Sequence, residues 1–135
     1  MRTVILDNEA VQALAAPDHR KHRQVLAHLA AVVARRRKGA TVTAIVPTAV
    51  RVEAGWDRSS AEAAALNRFR LTDHPLDRRT ADTAAAIVAG TGVSVADAHI
   101  GAVASTATGD IVVLTSDPGD IALASAPRRV TVVRI

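Results

Sequence analysis

Residues 111–117 read IVVLTSD, and this stretch decides the fold. Its four apolar residues are mostly β-branched, which is typical of a strand buried on both faces of a parallel sheet. The run ends in polar residues that include Asp117. Residues 3–7, TVILD, repeat the arrangement, with a short apolar run that ends at Asp7. Both stretches therefore predict a buried strand with a carboxylate at or just beyond its carboxyl end.

Four acidic residues are predicted at the carboxyl edge of the sheet. They are Asp7, Glu53, Asp97 and Asp117. A carboxylate at the end of a buried strand is costly unless it binds something, and several carboxylates together repel one another unless a cation holds them. The chain as a whole is basic, with 17 Lys and Arg against 13 Asp and Glu. Acidic residues in a basic surround indicate a metal site that acts on a phosphodiester substrate.

Composition limits the class of protein. A chain of 135 residues predicts one domain, and 49% hydrophobic residues favour a globular core. The absence of cysteine excludes a disulfide framework, a thiol nucleophile and a cysteine zinc site. No apolar run approaches the roughly 20 residues that a membrane helix needs, and the N-terminal run is too short for a signal peptide. We therefore expect a cytoplasmic protein without a membrane partner; the charge of +4 fits a polyanionic partner and an ordinary basic protein equally well.

The order of the predicted elements indicates an α/β fold. Predicted strands cover residues 3–6, 41–46, 111–115 and 130–135, with a strand or loop at 71–76; predicted helices cover 8–16, 18–38, a segment opened by Pro47, 60–70, 80–90, 94–106 and 121–124. Asp18 is the expected cap of the second helix. Strands that alternate with helices predict a three-layer α/β/α domain with a mostly parallel central sheet. Ligands bind such sheets beyond the carboxyl ends of the strands.

Each acidic residue also has a local explanation. Asp7 can cap the helix that follows it, and Asp97 fits a capping box that begins at Ser94. Asp117 lies in a turn sequence, and Glu53 is compatible with an ordinary solvated helix position, although its surroundings are largely apolar. Because no single residue is decisive, the metal site is inferred from the joint placement of the four.

Four ordered motifs resemble PIN-domain ribonucleases of the VapC toxin type, which belong to type II toxin–antitoxin systems. They are residues 4–8 (VILDN), 50–53 (VRVE), 93–102 (VSVADAHIGA) and 113–120 (VLTSDPGD). The resemblance spans essentially the whole chain, and its specificity lies in the order of the four motifs. Asn8 departs mildly from the Thr or Ser that is usual after the first Asp of the family.

The resemblance implies a single PIN-like nuclease domain over residues 1–135, Mg²⁺-dependent cleavage of RNA, a cognate antitoxin and a homodimer. Its metal and catalytic residues would be Asp7, Glu53, Asp97 and Asp117. Asp120 would be a fifth candidate, acting through water, and Thr115 and Ser116 would orient the last carboxylate or the attacking water. Independently of the resemblance, Mg²⁺ prefers oxygen ligands such as these, and Mn²⁺ can substitute for it.

Alternatives differ in how well they fit. A receiver domain needs a lysine near the last strand, whereas the only lysines here are Lys21 and Lys38, both in the second predicted helix. The chain has no P-loop and no dinucleotide-binding glycine motif. A non-catalytic PIN-like module that binds RNA or protein, and a DNA-directed nuclease of the same fold, remain open. The basic run 35–38 fits either a helix end or an RNA contact, and Arg51 and Arg58 are better placed to meet a nucleic-acid backbone.

Overall fold

The computed structural model describes the backbone of residues 1–135 and every side chain except that of Glu62. The strands are β1 (Arg2–Leu6), β2 (Val42–Pro47), β3 (Thr72–His74), β4 (Asp110–Thr115) and β5 (Thr131–Arg134). The helices are α1 (Asn8–Ala15), α2 (His22–Arg37), α3 (Thr48–Ala54), α4 (Ala64–Asn67), α5 (Arg78–Thr91), α6 (Val95–Thr106) and α7 (Pro118–Ser125), with a 3-10 turn at Ala61–Ala63.

The five strands form one sheet in the order β3-β2-β1-β4-β5, and every neighbouring pair is parallel. The predicted α/β/α class with a parallel sheet is confirmed, and the sheet is parallel throughout. Strand β1 is central, and Val4 lies opposite Ala44 of β2 and Val112 of β4. Because all strands run the same way, the residues that follow β1 and β4 meet at one edge of the sheet.

Helices cover both faces of the sheet. Val4 and Val112 line the same space as Val32 of α2, whereas Thr3 and Ile45 line a space with Val103 of α6. Adjacent residues on a strand point to opposite faces, so α2 and α6 pack on opposite sides. Each interior strand is consequently buried on both faces, as its continuous apolar sequence predicts.

A second, smaller apolar cluster joins α5, α6 and α7 through small side chains. It contains Ala84, Val93, Ala98, Ala102 and Ala124. A methyl group at Gly101 would overlap the carbonyl oxygen of Ala124, so glycine is required where α6 meets α7. No single helix in the described chain is long and apolar enough to cross a membrane; α5 and α6, bent by 118° at their junction, satisfy the length and composition test only as a pair.

Two predicted helices differ from those observed. Asp18 caps nothing: α2 begins at His22, because the backbone N–H groups of His19 and His22 bond to Ala16 and His19 carbonyls and form turns first. The predicted helix 60–70 is a 3-10 turn followed by the four-residue α4. There the Asn67 side chain exchanges hydrogen bonds with Arg58, which competes with helix continuation.

Candidate metal centre

Asp7 lies at the junction of β1 and β4. Its Oδ1 accepts a hydrogen bond from the Ala10 N–H at 2.8 Å and caps α1, and its Oδ2 accepts one from the Ser116 N–H at 3.0 Å. The side chain is 5% exposed, and burial raises its pKa above the ordinary value while hydrogen bonds from Thr115, Ala10 and Ser116 lower it. Asp7 therefore both caps a helix and joins the ends of two strands.

Three further carboxylates converge at the same edge. Oxygens of Asp97, Asp117 and Asp120 all lie within 4.8 Å of one another. Asp97 is in the first turn of α6, Asp117 is the N-cap of α7, and Asp120 is in the first turn of α7. Helix α7 begins at this edge because it directly follows the carboxyl end of β4. Helix α6 ends near the amino end of β4, so the first turn of α6, which carries Asp97, lies back at the carboxyl edge.

Local hydrogen bonds fix the backbone that carries these carboxylates. The Asp97 N–H donates to Ser94 Oγ at 3.1 Å, which is one of the two bonds of the predicted capping box. The Asp117 N–H donates to Thr115 Oγ1 at 2.9 Å, and Asp117 Oδ1 accepts the Asp120 N–H at 3.4 Å. Capping explains how these residues are held. It leaves acceptor sites free on their carboxylates, since an ionised carboxylate has about four.

The carboxylates interact electrostatically. Burial raises the pKa of Asp97 to about 6, with further contributions from the charges of Asp120, Asp7 and Asp117, while the hydrogen bond with Ser94 opposes the shift. The hydrogen bond with Asp117, followed by its charge, raises the pKa of Asp120. Asp7 thus belongs to the same electrostatic site as the other three. The four carboxylates repel one another when they are ionised, and a bound cation would relieve this repulsion.

Of the four predicted ligands, Asp7 and Glu53 are outside the group whose oxygens lie within 4.8 Å of one another, and Asp7 affects that group through its charge. Glu53 is the other exception. It lies on α3, next to Val52, which is 82% exposed, and its own side chain is exposed. The inward side of α3 is occupied by Val50, which is fully buried. The role of Glu53 as a ligand stays a prediction that requires its exposed side chain to turn towards the three aspartates.

Two residues contribute more than the sequence indicated. Asp120 is as close to the group as Asp97 and Asp117. The signal for it was its spacing, because residues three apart lie together on a helix and Asp117 opens α7. Thr115 is fully buried, its hydroxyl accepts a hydrogen bond from the Asp117 N–H, and its proximity lowers the pKa of Asp7. This side chain ties the Asp7 junction to the carboxylate cluster.

His99, two residues beyond Asp97, is an internal packing residue. It is fully buried, and its Nδ1 accepts a hydrogen bond from the Ala49 N–H at 3.3 Å, which joins α6 to the start of α3. Burial, followed by the neighbouring charge of His74, lowers its pKa to about 4. His99 is therefore neutral at pH 7, which agrees with a role in packing.

Arg51 and Arg58 are engaged within the protein. Both bond to Asp73, with nitrogen–oxygen distances of 2.9 and 3.0 Å. Both guanidinium groups also stack on Trp56, at 5.2 and 4.4 Å from the ring centroid. Since two cations share one carboxylate, a positive charge remains on this pair, and its contact with a nucleic-acid backbone stays a prediction.

No protein-family model matches the chain, and no curated protein matches it in sequence. The resemblance to PIN-domain ribonucleases therefore rests on the four sequence motifs. The chemistry of the donor set is an independent test of the metal that this resemblance implies. The group holds only carboxylate oxygens, without histidine or cysteine, which fits a hard divalent ion such as Mg²⁺ or Mn²⁺ and disfavours zinc.

Proposed function

We propose that this protein is a Mg²⁺-dependent endoribonuclease of the PIN-domain type and acts as a VapC-like toxin. The observation that carries the proposal is the convergence of Asp97, Asp117 and Asp120 beside Asp7 at the carboxyl edge of a parallel sheet. The order of the four sequence motifs supports it. A metal-dependent nuclease needs clustered oxygen ligands with a basic surround for its polyanionic substrate, and the chain has a charge of +4.

The three converging aspartates would hold the ion, and Asp7 and Glu53 are further proposed ligands. When bound, Mg²⁺ would lower the pKa of a water molecule and neutralise charge on the phosphate. The chain itself supplies positioning. Thr115 fixes the backbone of Asp117, Asp7 keeps the ends of β1 and β4 together, and the start of α6 presents Asp97.

The biological setting completes the proposal. We place the protein in the cytoplasm, as a homodimer that a cognate antitoxin neutralises. A small, largely apolar pocket of about 80 Å³ between α1 and the segment that leads into α4 would receive an apolar side chain from a helix of the antitoxin. Val11, Ala15, Trp56 and Leu66 are among the residues that line it. A helix that anchors one apolar side chain in this pocket would follow a common mode of peptide recognition.

The decisive experiment is cleavage of single-stranded RNA by the purified protein. Activity should require Mg²⁺ or Mn²⁺ and disappear with EDTA. Asp97→Asn should lower the rate at least about 100-fold, because loss of a ligand removes several kcal/mol of charge stabilisation. Asp82→Asn, at an exposed carboxylate on α5, is the matched control and should cleave like the parent.

Four results would contradict the proposal. Cleavage that persists in EDTA excludes a metal-dependent reaction. Full activity of Asp97→Asn removes that residue from the site. Equal or better cleavage of single-stranded DNA indicates a DNA-directed nuclease, and a protein that neither cleaves nor binds Mn²⁺ in calorimetry is a non-catalytic module.

A further inference from the structure

A basic cleft lies at the opposite edge of the sheet from the carboxylates. Its volume is about 340 Å³, and it is lined by Val33, Arg36, Arg37, Arg68, Phe69 and Arg70. The arginines come from two segments that are distant in sequence, the last turn of α2 and the loop that precedes β3. The cleft is at the amino-terminal edge because both segments lead directly into strands. Across the six residues of β2, the two edges are about 17 Å apart.

Arg36 joins the two segments. Its Nε donates to the Val42 carbonyl and its Nη1 to the Phe69 carbonyl, both at 2.9 Å. These bonds use two of the five N–H donors of the guanidinium group. The side chain therefore fixes the start of β2 against the turn at Phe69, and the cleft is a defined feature of the fold.

Among the described side chains, no carboxylate pairs with the positive charges of the cleft. The ion pairs among the described side chains involve Glu9 and Asp73, and none of them includes an arginine of the cleft. Arg37, Arg68 and Arg70 are exposed around the partly buried Arg36. Four guanidinium groups around one cleft repel one another, and an anion would relieve this repulsion.

The backbone at Arg70 adds a second observation. Its φ angle is 51°, and it is the one residue other than glycine in the described chain with a positive φ. The left-handed region costs roughly 1 kcal/mol or more for a residue with a Cβ atom, and glycine fits it without strain. The position therefore carries a charged side chain despite a conformation that favours glycine, and strain of this kind concentrates at ligand sites.

We propose that the basic cleft binds the phosphodiester backbone of single-stranded nucleic acid at a second site, separate from the acidic cluster. Guanidinium groups match phosphate oxygens in two-point contacts, which favours phosphate over an isolated monovalent anion. The half-buried Phe69 supplies an aromatic surface for a base, and this combination of ring and cations is typical of single-strand binding sites.

Fluorescence anisotropy with labelled twelve-residue oligouridine in EDTA tests this site without cleavage. Arg68→Ala/Arg70→Gly should bind about tenfold more weakly than the parent. The slope of log affinity against log salt should fall by about 1.4, since each lost phosphate contact on a single strand contributes about 0.7. Arg20→Ala/Arg23→Ala removes the same charge from exposed positions and is the matched control. Along α2, Arg23 is about 21 Å from Arg37.

Folding does not confound the result. Glycine at position 70 suits the observed backbone, so the cleft variant should retain the thermal stability of the parent. Arg37→Glu, at an exposed position in the last turn of α2, is a second variant that leaves the loop intact and should weaken binding further. Unchanged affinity in both variants would overturn the proposal, as would an equal loss in the cleft variant and its control.

Two further ligands test which phosphate-containing partner the cleft binds. Oligothymidine should show the same dependence on the cleft, because the phosphodiester backbone is shared. Vesicles that contain phosphatidylserine test a membrane surface, and loss of vesicle binding with unchanged oligouridine binding would overturn the proposal. Since no divalent metal is present, these outcomes do not depend on whether the acidic cluster supports cleavage.

Discussion

Replacement of Asp97 by asparagine should stabilise the metal-free protein at neutral pH. Burial and the neighbouring carboxylates raise the pKa of Asp97 from 3.8 to about 6. A shift of about 2 units sets a ceiling of about 3 kcal/mol, at roughly 1.36 kcal/mol per unit. Because the side chain is only half-buried, solvent screening lowers the expected gain to about 1.5 kcal/mol.

The gain should appear in a defined pH window. A raised pKa means that the folded protein binds the proton more tightly than the unfolded chain, so the parent loses stability as the pH rises from about 4 to about 6. Below that window the two proteins should be equally stable, and above it the variant should be more stable by the full amount. His99, whose pKa is lowered to about 4, acts in the opposite direction in both proteins and cancels in the difference.

Urea unfolding followed by circular dichroism, in EDTA and at several pH values, measures this difference. Asp82→Asn is the control and should follow the parent at every pH. A difference between Asp97→Asn and the parent that does not change with pH would refute the reasoning. So would a variant that is less stable than the parent at pH 7.5, because it would mean that the carboxylate is not destabilised in the folded protein.

Three other predictions concern packing, the support of the site and its ligand. Gly101→Ala should lower the free energy of unfolding by about 3 kcal/mol in urea titrations, because its methyl group meets the Ala124 carbonyl; stability equal to the parent would contradict the packing of α6 on α7. Thr115→Val should cost about 1–2 kcal/mol, since it leaves the Asp117 N–H without its acceptor; an unchanged urea midpoint would contradict this. In scanning calorimetry, Mg²⁺ should raise the melting temperature of the parent but not that of Asp97→Asn. An equal rise in both proteins would mean that the ion binds outside the carboxylate cluster.

Much of the fold was predictable because its strands are short, apolar and strongly β-branched. The run that ends at Asp7 and the run that precedes Asp117 are adjacent parallel strands, and both were identifiable from sequence alone. Helix boundaries were less predictable where side chains compete with the backbone. The Asn67 side chain bonds to Arg58 nine residues earlier, and helical periodicity gives no sign of such a contact.

The candidate site was predictable in part for the same kind of reason. Asp117 follows β4, and Asp97 lies at the start of the helix that leads back to the beginning of β4, so both residues lie at the carboxyl edge of the sheet. The position of Asp120 depends on the first turn of α7, and that of Glu53 depends on side-chain rotation on an exposed helix, which sequence does not determine. The basic cleft was visible only as the run at 35–38, because its other wall is formed by residues about thirty positions away.

The stacking of Arg51 and Arg58 on Trp56 gives the protein a natural optical reporter. Trp56 is the sole tryptophan, and the chain contains no tyrosine, so the intrinsic emission arises from one fluorophore. Its ring is 7% exposed and lies against two cations that share Asp73. Because the ring also lines the small apolar pocket beside α1, the spectrum of the unlabelled protein would change if the proposed antitoxin inserted a side chain there.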